Sequence, residues 1–126
     1  MAAGKYSFTV EQGSTTSFQV VYKDANGTPV DLSGYHARMQ IRETKDSSTV
    51  ICNLSSSLDA DGTGLNLSGS AGTLPLSSGS IGIYISAASS SGFSFDTAYY
   101  DLEIVTGGTV TRLLQGSVKL DKEVTR

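Results

Sequence analysis

The chain has 126 residues, a net charge of −3 and a pI of about 4.9. That length suits one domain, and the acidic balance argues against sequence-independent nucleic-acid binding, which needs clustered Lys and Arg to neutralise phosphates. A single cysteine, Cys52, permits neither an intrachain disulfide nor a cysteine-based zinc site.

Leu, Ile, Val and Phe total 30, enough for a small core and above the level at which disorder sets in. Ser and Thr total 33 and Gly 14, side chains that suit strand faces and turns better than helices. No stretch of ten residues carries a 3.6-residue apolar period, so the chain is expected to be all-β. The opening MAAGKYSFTV has no long apolar run, so no signal peptide is expected. No 18-residue apolar segment occurs, so no membrane contact is expected.

In chain order, Phe8 and Val10 share the first strand face, and Gln12-Gly13 ends that strand. Phe18, Val20 and Tyr22 share a face of the second. Asp24-Ala-Asn-Gly27 predicts a turn, because Asn-Gly readily supplies positive φ, and Pro29 suits its exit or a sheet edge. Tyr35, Ala37, Met39 and Ile41 then alternate with His36, Arg38, Gln40 and Arg42, predicting a strand over 35–43 with one apolar and one long basic face. A polar turn over 43–48 leads to a return strand carrying Val50, Cys52 and Leu54. Residues 55–70 read as loop and a short strand, and 73–76 as another short strand with Leu74 and Leu76 on one face.

Ile81, Ile83 and Ile85 alternate with Gly82 and Tyr84, and 87–91 reads as a loop or one short turn. Residues 98–105 form a strand with Tyr100, Leu102 and Ile104 on one face and Tyr99, Asp101 and Glu103 on the other. Thr106-Gly-Gly-Thr109 predicts a tight hairpin into a strand over 110–120, whose alternation falters at Arg112-Leu113-Leu114, where a bulge fits. The ending DKEVTR is charged and reads as frayed or held by a neighbour. Seven to nine short strands with turn signals every 8 to 14 residues predict an antiparallel sandwich or barrel.

Chemistry is sparse. His36 is the sole histidine and falls on the solvent-facing side of its strand. No Gly-x-Ser-x-Gly elbow is present, although triad members need not be near in sequence. Cys52 follows Val50-Ile51 and reads as a small buried hydrophobe. Asp59-Ala-Asp-Gly62 does not match a calcium loop, having Ser70 at the twelfth position, and reads as a turn. No glycine cluster is followed by a phosphate-loop pattern. Tyr99 and Tyr100 are adjacent on a strand, so they point to opposite faces, one to core and one to surface. No catalytic residue, cofactor or metal site is therefore expected. Arg38 and Arg42 share a strand face and admit two readings: solvation with cross-strand carboxylate pairing, or an interface, for which the guanidinium fork and plane are suited.

Three phrases carry a family resemblance: EQGSTTSFQVVYKDANGTPVDLSGYHARMQIRE at 11–43, AYYDLEI at 98–104 and VTRLLQGSVKLDKEVTR at 110–126. They resemble a group of small virion structural proteins of tailed phages, common in phages of cyanobacteria and other Gram-negative hosts, and are similar to the immunoglobulin-like N-terminal domain of phage baseplate upper proteins. Asp31-Leu32-Ser33-Gly34-Tyr35 stands where the group usually has Asp-Leu-Thr-Gly-Tyr. The resemblance spans nearly the whole chain and is weakest over 55–95.

It implies an immunoglobulin-like antiparallel β-sandwich in one domain over 1–126, with flexible or partner-held ends at 1–5 and 121–126. It implies a non-enzymatic assembly or adaptor component of the tail, baseplate or neck, localised to the virion and assembled in the host cytoplasm. The implied partners are other virion proteins and further copies of the chain. The alternatives are a head decoration protein and a carbohydrate-binding module for the host surface. Arg38, Gln40, Arg42, Tyr99 and Arg112 are the interface candidates.

Overall fold

The computed structural model of the chain describes residues 4–124. Among the described residues nine strands form two sheets around one core: β1 (Gly4–Lys5), β2 (Phe8–Glu11), β3 (Thr16–Val21), β4 (His36–Arg42), β5 (Cys52–Ser55), β6 (Gly64–Asn66), β7 (Ser80–Ile85), β8 (Thr97–Thr106) and β9 (Thr109–Asp121). The larger sheet runs β1-β9-β8-β4-β5, with β2 also on β9; the smaller runs β3-β7-β6. The chain is an all-β sandwich.

Period-two alternation builds the core. Ala37, Met39 and Ile41 of β4, Ala98, Tyr100, Leu102 and Ile104 of β8, and Cys52 and Leu54 of β5 point inward from the large sheet. Leu65 of β6 and Ile81, Ile83 and Ile85 of β7 meet them from the small one. Burying each Leu, Ile or Met among them contributes roughly 1.5–3 kcal/mol against the entropy of ordering the chain.

The turns follow their sequence signals. Gly27 takes φ +83° and its N–H donates to the Asp24 carbonyl at 3.0 Å, while Asp24 Oδ1 accepts from the N–H groups of Asn26 and Thr28. Pro29 then bridges Lys23 at the turn exit. In the segment from Asp31 to Tyr35, Asp31 Oδ1 accepts from both the N–H and the hydroxyl of Ser33, Gly34 sits at φ +79°, and Leu32 is driven into the core. The β8–β9 register steps at Leu102/Glu103, where Leu102 faces Leu114 and Glu103 faces Arg112. Leu113 is the extra residue, so the bulge falls where the alternation faltered.

Two expectations are corrected and a third, the loop or short turn over 87–91, is made specific. The sheet is not wholly antiparallel: β1 and β2 both pair with β9 in parallel. Residues 73–76 form no strand; Pro75 supplies no N–H to a ladder, and the backbone turns instead into a 3-10 turn at Leu76–Ser78, leaving Leu74 and Leu76 partly exposed. Residues 87–91 form a one-turn helix, α1 (Ala87–Ser91), because the Ser86 hydroxyl caps it by accepting from the Ser89 N–H at 3.0 Å.

The described parts of both ends are held by the chain itself. Gly4 and Lys5 lie opposite Leu114 and Gln115, Lys122 Nζ pairs with Asp96 Oδ1 at 3.0 Å, and Gln12 Oε1 accepts the Glu123 N–H at 2.8 Å. The expectation for residues 1–3 and 125–126 falls outside the described residues.

The N-terminal segment crosses β9 at Gly116. A Cβ there would stand 2.0 Å from the Tyr6 carbonyl oxygen, and that same oxygen accepts the Tyr100 hydroxyl at 2.6 Å. Gly116→Ala is expected to cost more than about 2 kcal/mol, since backbone rather than a flexible side chain must move. Urea unfolding monitored by circular dichroism checks it; a change below about 0.5 kcal/mol would show that the crossing is not tightly packed.

Candidate interface on the outer face of the large sheet

The outward residues of β4, β8 and β9 form rows across the large sheet, three of which carry the candidates. Arg38 lies opposite Glu103, which lies opposite Arg112; Gln40 opposite Asp101, then Gln115; Arg42 opposite Tyr99, then Ser117. The five candidates from the sequence, Arg38, Gln40, Arg42, Tyr99 and Arg112, are therefore brought onto one face. Four of them, with Lys45, Asp101, Glu103 and Gln115, line a shallow groove of about 400 Å³. Arg38 lines a second groove beside it, with Asn53 and Ser55 of β5.

The charged residues of these rows, Arg38, Arg42, Asp101, Glu103 and Arg112, have local partners. Arg38 Nε donates to Glu103 Oε1 at 2.7 Å, with the Arg38 side chain 56% exposed. Arg112 Nε stands 3.5 Å from Asp101 Oδ2, and Arg112 Nη1 donates to Gln115 Oε1 at 3.3 Å. Arg42 donates to the Ser47 carbonyl and to Gln40 Oε1, tying the loop after β4 to the sheet. Cross-strand carboxylate pairing, one of the two readings of the basic face, thus holds for Arg38. Exposed pairs of this kind contribute about 0.2–1 kcal/mol each, so they order the face more than they stabilise the fold.

Tyr99 and Tyr100 divide as their adjacency requires. The Tyr100 ring is in the core, 5.1 Å from the Phe8 ring, and its pKa is raised, chiefly by burial and then by Tyr6. Tyr99 stays 39% exposed, opposite Arg42. Asp101 and Glu103 are the site residues that sequence reasoning passed over as candidates. Their signal was their alternation with Tyr99, but only the β4–β8 register sets them against Gln40 and Arg38.

The other groups weighed in the sequence have structural work. His36 is exposed at the start of β4, opposite Val105. Cys52 is buried, and burial first, then the charges of Asp59 and Asp61, pushes its thiol up to about 11. A thiol held protonated in this way is a poor nucleophile. In the turn from Asp59 to Gly62 the Gly62 N–H donates to the Asp59 carbonyl at 2.9 Å. Asp61 accepts the Ser86 hydroxyl at 2.5 Å, the Ser89 hydroxyl at 3.1 Å and the Thr63 N–H at 2.9 Å, clamping this turn to the first turn of α1.

Against known proteins, the chain matches no family model and no curated sequence.

The Asp61 clamp has a pH signature. The Ser86 hydroxyl, followed by the Thr63 N–H, lowers the Asp61 carboxyl to about 2. A depressed carboxyl contributes stability above its unfolded value near 3.9, and loses it as pH falls toward 2. Asp61→Asn is expected to lower Tm at neutral pH and to flatten the fall in Tm between about pH 4 and pH 2. Thermal melts at both ends of that window test this; parallel Tm curves for the two proteins would contradict it. The carboxylate is solvent-exposed, so the effect is small and screened by salt.

Proposed function

We infer that this chain is a non-enzymatic structural protein of a tailed-phage virion, an adaptor of the tail, baseplate or neck that contacts neighbouring subunits. The observation that carries the reading is the convergence of Arg38, Gln40, Arg42, Tyr99 and Arg112 on one flat, ordered sheet face. Arg and Tyr are enriched at protein contacts, because a guanidinium fork pairs with carboxylates and a ring buries area at low entropic cost. The resemblance of 11–43 and 98–126 to small virion proteins, and to an immunoglobulin-like baseplate domain, supplies the particle. The phrases that carry it run through the three strands that bear the candidates, β4, β8 and β9. Virion proteins are used in symmetric copies, so one such face is used repeatedly.

One observation favours a second reading. Tyr99 presents a partly exposed ring beside a polar groove, an arrangement that suits stacking on a sugar. A host-surface carbohydrate module would use that ring and the groove carboxylates.

Two measurements separate these readings. Quantitative mass spectrometry of purified virions, referenced to the portal protein, is expected to find on the order of ten copies per particle for an axial component and hundreds for a head decoration protein. Absence from purified particles would remove the structural reading. Reversing Arg38 and Arg42 together to Glu is expected to lower incorporation severalfold without unfolding the sandwich; incorporation at the normal level would remove this face from assembly. Saturable binding on a glycan array, lost on Tyr99→Ala, would bring the carbohydrate module forward.

A further inference from the structure

We propose that the outer face of the large sheet pairs with the same face of a second copy of this chain, about a two-fold axis along the seam between β4 and β8. The proposal rests on the reading of that face as an interface and names its partner. Its basis is the register. Across the seam three outward rows join complementary groups: Arg38 with Glu103, Gln40 with Asp101, Arg42 with Tyr99. A two-fold along the seam exchanges the two strands while keeping the rows level. Arg38 of one copy then faces Glu103 of the other, Gln40 faces Asp101, and Arg42 faces the Tyr99 ring, where a guanidinium stacks well.

The flanking strands comply with the same operation. It carries β9 over β5, so Arg112 meets Ser55, from the row of Arg38, and Gln115 meets Asn53, from the row of Gln40. No row sets like charges against each other. Placing the axis on β8 itself would instead stack Asp101 and Glu103 on their own copies, and placing it on β4 would stack Arg38 and Arg42 on theirs, so the charge pattern excludes an axis on either strand. Such a pairing is isologous and closes at two copies.

The side chains leave room for it. Arg38 spends only Nε on Glu103, and its two terminal nitrogens make no further bond among the described residues. Stacked sheets stand about 10 Å apart, a gap that long side chains from both copies fill. The axis overlaps four strands, β5, β4, β8 and β9, so with β4 seven residues long the shared face measures about 23 by 19 Å. That is about 440 Å² per copy, below the standard size of specific interfaces, so a weak, reversible and salt-sensitive dimer is expected.

Sedimentation equilibrium of the full chain tests this, with circular dichroism confirming that each variant is folded. The wild-type chain is expected to dimerise, more weakly as salt rises. Arg38→Glu sets carboxylates over Glu103 twice, and Glu103→Arg sets guanidinium groups over Arg38 twice, so each alone should weaken dimerisation at least about tenfold. Mixed in equal amounts they should restore it as a heterodimer, because one chain then carries acids at both positions and the other bases. Tyr99→Ser, which leaves the core and the charges untouched, should weaken the dimer severalfold. A wild-type chain that stays monomeric, a dimer insensitive to these changes, or a mixture that fails to pair would overturn the proposal. If the chain is monomeric while reversing Arg38 and Arg42 still blocks virion incorporation, self-pairing fails and the interface reading survives. A dimer formed by a chain that purified virions lack would have the opposite meaning.

Discussion

The close passage of Tyr6 over Gly116 is the contact on which much of the sandwich depends. Only a residue without Cβ lets the N-terminal backbone lie against β9 there, and the Tyr100 hydroxyl fastens the carbonyl that makes the approach. Because Tyr6 is fixed, its ring and that of Phe8 reach the Phe18 ring, at 5.6 and 4.9 Å. Phe18 belongs to the small sheet, so one hydrogen bond from the large sheet positions the aromatic seam that joins the two layers along this side. Burying a phenol is costly unless it finds a partner, and here the partner is the crossing strand itself.

A second close approach organises the opposite side. A Cβ on Gly82 of β7 would come within 2.6 Å of the Ser70 backbone, so the segment around Ser70 lies directly on the small sheet. Gln19 of the neighbouring strand holds it there, its Oε1 accepting the Ser70 N–H at 3.0 Å. The outer face of the small sheet is thus partly covered by its own chain. The outer face of the large sheet carries instead an open array of charged and amide side chains. This asymmetry, more than any single residue, makes the large sheet the face available for contact.

Much of this architecture was legible in the sequence because period-two patterning is strong in β4, β7 and β8, and because Asn26-Gly27 and Gly107-Gly108 are unambiguous turn formers. The bulge at Leu113 was legible for the same reason: two leucines in succession break the alternation. What stayed hidden required partners distant in sequence. Nothing local distinguishes a parallel pairing of β2 with β9, 110 positions apart, from an antiparallel hairpin. Leu74 and Leu76 mimic a strand because alternation is blind to where backbone N–H groups go, and Pro75 and the flanking glycines decide that. For the candidate site, the arginines stood out by their length and charge on an alternating strand. Their acidic counterparts did not, since a carboxylate on a strand face is ordinary until the register shows what it faces. Asp61 stood in a segment that reads as a turn, and its link to Ser86 appears only once the chain has folded back.

The hairpin formed by β8 and β9 extends beyond the start of β1. Gly4 lies opposite Leu114, and among the described residues Thr109 to Arg112 pair with β8 while Leu113 is the bulged residue. Strand segments rich in β-branched and leucine residues are templates for uncontrolled cross-β growth wherever an edge is uncovered. The stretch Thr109-Val-Thr-Arg-Leu113 has that composition except for its arginine. Arg112 interrupts that run as well as joining the polar face: a charge within such a stretch raises the cost of stacking it against a like strand, as gatekeeper residues do.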